Sequence, residues 1–409
     1  MKFSYDKNKL KIMFYFVSIA SLILILLFSM KDYNYWQLGT DRFMDFFNSI
    51  RDAAVDGVYS ERKVIYPPLI NLFYKFMGIY MEQDYILSGF DARLNAYLFP
   101  NAMIVYMIYN IILVAGILIV LNNTIKLKRK YRYLIILFIL LSNPFMYAFE
   151  RGNSILIVLA LIFIFYRYYY DGSIIKRELA LLALAASINI KIYPVILSLI
   201  LISNKDFKRF LRLGIYSAIL FFSGFGFYGG MDGLEVYIKN IFRYSNNTYN
   251  QSIIGKSDIK SYLEMMTFIN PVIKYLILLI LFLGAIFVVF MANEQWQKWL
   301  ACCWLMLNVP GVSLYYNWVF FSIPLVMFIN DRFQKEYQWI FAVFIIMIYI
   351  YYPVEINGIQ SYYYQCSLNL ISSCGISGII GIFIIVLFLD NAWRIFKQFK
   401  DRENKISPC

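Results

Sequence analysis

The sequence contains no histidine among its 409 residues, although it carries 36 tyrosines and 37 phenylalanines. That absence excludes a Ser-His-Asp or Cys-His nucleophile, a histidine-ligated metal or haem, and a histidine proton relay. Acid–base chemistry is left to Asp, Glu, Lys, Tyr or Cys. Charge is also scarce, at 15% of residues, whereas a soluble domain carries roughly 25%. Cysteine is limited to Cys302, Cys303, Cys366, Cys374 and Cys409, with no Cys-x-x-Cys spacing for zinc or redox work. Cys366 and Cys374 could pair in an oxidising compartment, but two free thiols is the plainer reading.

Apolar residues make up 61% of the chain and fall in long runs, with a mean hydropathy of +0.61. An integral membrane protein follows, all-α and polytopic. The first run, Ile12 to Met30, follows a basic N-terminus (Lys2, Lys7, Lys9, Lys11) and lacks a small-residue cleavage site, so it reads as an uncleaved first helix. Further spans are expected near 99–121, 133–149, 154–170, 179–190, 192–203, 213–230, 272–291, 299–314, 318–330, 337–353 and 371–390. The total is about twelve transmembrane or partly inserted helices in a single integral membrane domain, 1–409. Several runs fall short of the roughly 20 residues that cross a bilayer alone.

The net charge of +13 tests this threading, and on a membrane chain it points to cytoplasmic loops rather than to nucleic acid. Lys126, Lys128, Arg129, Lys130 and Arg132 fall in one inner loop, Lys176 and Arg177 in the next, and Lys205, Lys208, Arg209 and Arg212 in a third. Arg332 and Lys335 occupy a fourth, and the tail at 391–409 is basic as well. Short outer loops hold almost only Arg151 and Lys191. Both termini are therefore expected on the cytoplasmic side of the membrane. Two long loops, 31–98 and 231–271, fall outside and are expected to carry amphipathic interfacial helices.

Chemistry is sought in those outer segments. Helical spacing from Thr40 puts Asp41, Asp45 and Asp52 on one face, with Phe43, Phe47, Ile50 and Ala54 on much of the other. This reads as a helix in the outer interface, stopped near Gly57, with carboxylates turned toward a cavity or water. A solvated polar face would give the same pattern. Without histidine, these carboxylates are the best candidates for a general base. Tyr66-Pro67-Pro68 punctuates the loop and sets a helix start. Glu150-Arg151-Gly152-Asn153 and Asn189-Ile190-Lys191-Ile192-Tyr193-Pro194 place cations at depths where charge is expensive and marks a substrate path or a lipid phosphate; snorkelling to headgroups is the alternative. The run from Arg243 through Asn250-Gln251-Ser252 is dense in amides, hydroxyls and tyrosines, which suits carbohydrate and equally an ordinary polar loop.

In their order and sidedness, these motifs resemble glycosyltransferase family 87, the polyprenyl-phosphate-sugar-dependent membrane mannosyltransferases with the type C glycosyltransferase fold. The resemblance runs from about residue 40 to 325. It implies metal-independent, cofactor-free, inverting transfer of one mannose-like sugar from a polyprenyl-phosphate donor to a glycan or glycolipid acceptor on the outer face. It also implies an aspartate base in the first outer loop, Asp45 or, second, Asp41. Donor and acceptor contacts would come from Arg42, Tyr66, Arg151, Asn153, Asn189, Lys191, Tyr193, Arg243, Asn250, Gln251, Ser252, Tyr316 and Asn317. Arg151, Lys191 or Arg243 would clamp the phosphate. Some members carry a histidine where this chain reads Ser313-Leu314-Tyr315-Tyr316-Asn317-Trp318; Tyr316 or Asn317 could hydrogen-bond there, but neither replaces an imidazolium. A surface-polysaccharide enzyme fits better than a lipomannan one. An O-antigen-type polymerase or ligase would share the spans but use outer-loop arginines. A lipid-linked glycan transporter would need ionisable groups within its spans, which are nearly free of them.

Overall fold

The computed structural model describes residues 43–54, 57–87, 99–245, 258–310, 313–330 and 362–406. Asp41, Arg42, Asn250, Gln251, Ser252 and the expected spans at 12–30 and 337–353 lie outside these, as do the side chains of Cys366 and Cys374. The described chain is all-helical, and it is a membrane protein by the length and hydropathy of its helices.

The first outer loop supplies α1 (Met44–Ala54), α2 (Pro68–Gly78) and the short α3 (Gln83–Leu87). Pro68 occupies the first turn of α2, where its missing N–H costs nothing, and Gly57 turns the chain after α1 with φ at 79°. Contrary to the expectation of a helix lying in the interface, α1 spends its apolar face on protein. Phe46, Phe47, Ile50 and Ala53 are buried, and Phe46 packs its ring against Tyr74, Tyr106 and Tyr109 of the neighbouring helices.

Next come α4 (Pro100–Thr124), α5 (Arg129–Leu140), α6 (Asn143–Arg151), α7 (Ile155–Tyr168) and α8 (Ile174–Ile190). A 3-10 turn, Tyr193–Leu197, leads into α9 (Ser198–Ser203), followed by α10 (Phe207–Phe225) and α11 (Gly230–Ser245). The remainder is α12 (Ile259–Met265), α13 (Pro271–Met291), α14 (Gln295–Asn308), a 3-10 turn at Tyr315–Phe321, α15 (Ser322–Asn330) and α16 (Tyr362–Ile406). The expected second outer loop is thus largely helical where it is described.

Among the described residues, α4, α13 and the 377–401 part of α16 are long and apolar enough to cross a membrane. Counting each bent pair as one span, α5 with α6 and α10 with α11, raises the number to five. The expectation of about twelve is met only in part, and length explains why. The 14-residue helices α7 and α14 rise roughly 21 Å each, short of the ~30 Å hydrocarbon core. They bury their apolar surface against protein instead. Every residue of α14 from Trp296 to Asn308 is buried, with α13, α15, α16 and both 3-10 turns packed around it. Exposed rows such as Ile104, Ile108, Ile111 and Ile112 on α4 and Val272, Leu276, Leu279 and Leu283 on α13 form the outward, lipid-suited faces.

Two further features hold the outer elements together. Helix α10 approaches α2 so closely that a Cβ on Gly224 would lie 2.8 Å from the Pro68 ring. The amide of buried Asn240 on α11 donates to the Tyr59 carbonyl at 2.8 Å, while the Asn71 amide donates to the Tyr59 hydroxyl at 3.1 Å and to the Tyr66 carbonyl at 3.2 Å. These bonds fix the loop that presents Tyr66. Because the Pro68 ring is rigid, Gly224→Ala should cost about 1–3 kcal/mol through overpacking, read as a lower thermal unfolding midpoint in detergent. An unchanged midpoint would show that α2 and α10 separate freely.

Candidate active site

The site begins at the end of α6. Gly152 takes the left-handed conformation at φ 64°, with its N–H on the Phe149 carbonyl and the Asn153 N–H on the Ala148 carbonyl, both at 2.9 Å. This is the glycine-terminated helix end that satisfies the last carbonyls. The glycine is required twice over, since a Cβ here would also sit 2.5 Å from the Phe46 Cβ on α1. Across that contact the Phe43 N–H donates to the Glu150 carbonyl at 2.9 Å, and the Tyr106 hydroxyl donates to the Phe149 carbonyl at 3.0 Å. The start of α1 and the end of α6 are locked together.

That lock brings Asp45 to Arg151 and Asn153. The guanidinium grips the carboxylate bidentately, Nε to Oδ2 at 2.7 Å and Nη2 to Oδ1 at 2.8 Å. The Asn153 amide adds a third bond to Oδ2 at 2.6 Å. Burial opposes ionisation of Asp45, but the Arg151 charge and hydrogen bonds, the Asn153 amide and the Lys191 ammonium together outweigh it. They hold the carboxyl below its ordinary range. Its side chain keeps 15% exposure. Asp52, two turns further along α1, pairs instead with Arg51 at 3.5 Å and lies with its carboxyl raised by burial.

Beside this cluster, Tyr66, Lys191, Tyr193, Tyr244, Tyr316 and Asn317 line a cavity of about 260 Å³. The Lys191 ammonium lies over the Tyr66 ring at 4.3 Å, and among the described residues it has no hydrogen bond or ion pair. Burial lowers it to about 8, against the pull of Asp45 and with the push of Arg151. The Tyr193 hydroxyl donates to the Asn317 Oδ1 at 3.2 Å, and the Asn317 amide donates to the Ser313 hydroxyl at 2.9 Å. Tyr147 connects the two parts: the Arg151 guanidinium lies 5.5 Å from its ring, which stacks on Tyr316 at 6.0 Å. Among the described residues one carboxylate faces two buried cations, a balance that favours an anionic ligand.

Segments far apart in sequence therefore meet here: Asp45, Tyr66, Arg151, Asn153, Lys191, Tyr193, Tyr316 and Asn317. Two expected contacts do not join them. The Asn189 amide is spent on the carbonyls of Ala185 and Ser217, at 2.8 and 3.1 Å, tying α8 to α10. Arg243 stands exposed in the last turn of α11, with no described contact to the cluster. Tyr147 went unnoticed in the sequence, although its position one turn before Arg151 on a helix is a readable signal. Tyr244 belongs to the tyrosine- and amide-rich run that begins at Arg243, whereas the scaffolding Asn240 carries no comparable local signal.

The profile of glycosyltransferase family 87 matches residues 65–312, more than half of the chain, and the chain belongs to that family. No curated protein matches it.

The depressed Lys191 has a consequence for stability. Between about 8 and the ordinary 10.5, the unfolded chain holds a proton that the folded chain has shed, so folding stability rises with pH in that window. Lys191→Met should flatten that rise and raise the midpoint near neutral pH, because an unpaired buried ammonium is removed. A lower neutral midpoint in thermal unfolding would contradict this account.

Proposed function

We propose that this member of glycosyltransferase family 87 transfers one mannose-like sugar from a polyprenyl-phosphate donor to the hydroxyl of a glycan or glycolipid acceptor, with inversion. The observation that supports the reading best is a mostly enclosed, ionised carboxylate beside a cavity whose wall carries a lysine with no ion pair among the described residues. Donor chemistry needs both. The acceptor oxygen bonds to the anomeric carbon as the bond from that carbon to the phosphate oxygen breaks, through an oxocarbenium-like transition state. The acceptor's proton passes to Asp45, and polyprenyl phosphate leaves with one more negative charge than the donor phosphate carried. Lys191 meets that developing charge in a place of low polarity, where a fixed cation is worth most.

Arg151 is already committed to Asp45, so the phosphate contact falls to Lys191, with the Tyr193–Asn317 pair as polar neighbours. Tyrosine faces on the cavity wall suit a sugar ring. Asp41, Arg42, Arg243 and the Asn250-Gln251-Ser252 run remain part of the proposed donor and acceptor surroundings. The arrangement of charges along the sequence supports a site on the outer face of a bacterial plasma membrane, both termini cytoplasmic. The same pattern supports a single type C membrane domain whose short inserted helices bring the total to about twelve.

Purified protein supplied with a polyprenyl-phosphate sugar and an acceptor glycolipid provides the test. Asp45→Asn should abolish transfer, a loss of roughly 10²–10⁴-fold or more for a general base, with expression and folding intact. Full transfer by that variant would remove Asp45 from the role. The pH profile of kcat/KM, which reports the free enzyme, should fall as pH rises past about 8. In Lys191→Arg that limb should move upward by at least about one unit, since guanidinium stays charged. A limb that stays in place would assign it to another group.

A further inference from the structure

The tripeptide Arg151-Gly152-Asn153 touches the aspartate and not the cavity. Its three residues each do something different. Gly152 lets the backbone of α6 come against Phe46. Asn153 turns its Oδ1 to the Ile155 N–H at 2.9 Å, capping the start of α7, and that bond fixes which way the amide faces. Its Nδ2 therefore has to point at the Asp45 Oδ2, 2.6 Å away. Arg151 closes the other side with two bonds. The count on the carboxylate is uneven: Oδ2 accepts two hydrogen bonds and Oδ1 accepts one among the described residues. A carboxylate oxygen can accept about two in its plane, so Oδ1 is the oxygen with a lone pair to spare.

We propose that Arg151 and Asn153 are positioning residues for Asp45 rather than donor contacts: they pin the carboxylate through Oδ2 and aim Oδ1 at the acceptor hydroxyl. This rests on the reading of Asp45 as general base. During transfer the acceptor proton moves to Oδ1 as the new glycosidic bond forms, and the bonds from Arg151 and Asn153 keep the carboxyl in place until that proton is released to water. The same three bonds favour the ionised form, so the base stays available at low pH although each bond makes it weaker. Precision of aim is gained at some loss of proton affinity. That exchange is favourable where the transition state is dominated by departure of the phosphate, because misplacing the reacting groups by an ångström costs on the order of 10²-fold.

The test compares Asn153→Ser with wild type in full-length, detergent-purified enzyme. Serine retains the helix cap but cannot reach Asp45 as an amide does. The expected result is a fall in kcat of roughly 10–10²-fold with donor KM within about twofold. The acid limb of the kcat profile should also move upward, because the ionised carboxylate has lost a donor. Among the described residues, the ionisable groups around Asp45 are Arg151, Lys191, Tyr66, Tyr74, Tyr109 and Tyr316. None of these types titrates in acid, so an acid limb that moves with the loss of the Asn153 amide is assigned to Asp45. Arg151→Lys, which keeps the charge and loses the fork, should behave in the same direction and more strongly.

A raised donor KM with unchanged kcat would make Asn153 a donor contact and overturn the proposal. So would a fall in kcat with an unmoved acid limb, the mark of a purely structural role. Asp45→Asn in the same assay separates the levels. If it transfers sugar normally, the base reading itself fails. If it is inactive while Asn153→Ser keeps the wild-type acid limb, the base reading stands and the positioning role falls.

Discussion

The ion pair between Asp45 and Arg151 is the constraint on which the site depends. A bidentate guanidinium–carboxylate pair in a largely enclosed place is expensive to break, because either partner left alone would be an uncompensated buried charge. It therefore fixes the start of α1 against the end of α6. The backbone around it is shaped to permit that approach, by the left-handed Gly152 and by the bond from the Phe43 N–H to the Glu150 carbonyl. The pair is compensated internally, and so the cation left over is Lys191. Electrostatic need for an anion is thus placed in the cavity and not at the aspartate.

The architecture around it divides the labour between lipid and protein. Long helices such as α4 and α13 turn rows of isoleucine and leucine outward and can cross a bilayer. Short helices such as α7 and α14 cannot, and they bury themselves among the others. In a membrane protein, irregular backbone lining a cavity is tolerable only where it is enclosed by protein. The 3-10 turns at Tyr193–Leu197 and Tyr315–Phe321, which present Tyr193, Tyr316 and Asn317, meet that condition by packing against the largely buried α14.

Much of this was legible in the residues. The missing histidine left acid–base work to Asp, Glu, Lys, Tyr or Cys, and charged residues at Arg151 and Lys191 stood out against apolar surroundings. The start of α2 at Pro68 and the spans at α4 and α13 followed from local chemistry and length. What local pattern left open is equally physical. Spacing alone showed that α1 has an apolar face, yet it could not say whether lipid or protein would cover it; Tyr74, Tyr106 and Tyr109 cover it. Asn189, expected as a contact from its motif, spends its amide N–H groups on two backbone carbonyls.

By itself, then, the sequence determined the class of chemistry, the all-helical membrane character and the motifs that carry the family. Those are properties of composition and of periodicity within a few turns. Only the tertiary structure decided which cation neutralises Asp45 and which is left for a ligand. Arg151 and Lys191 look alike along the chain, each a lone cation at a polar corner. Their difference arises from distances between segments about a hundred residues apart, as in the 106-residue separation of Asp45 and Arg151, and pairing at that range depends on packing rather than on any local signal.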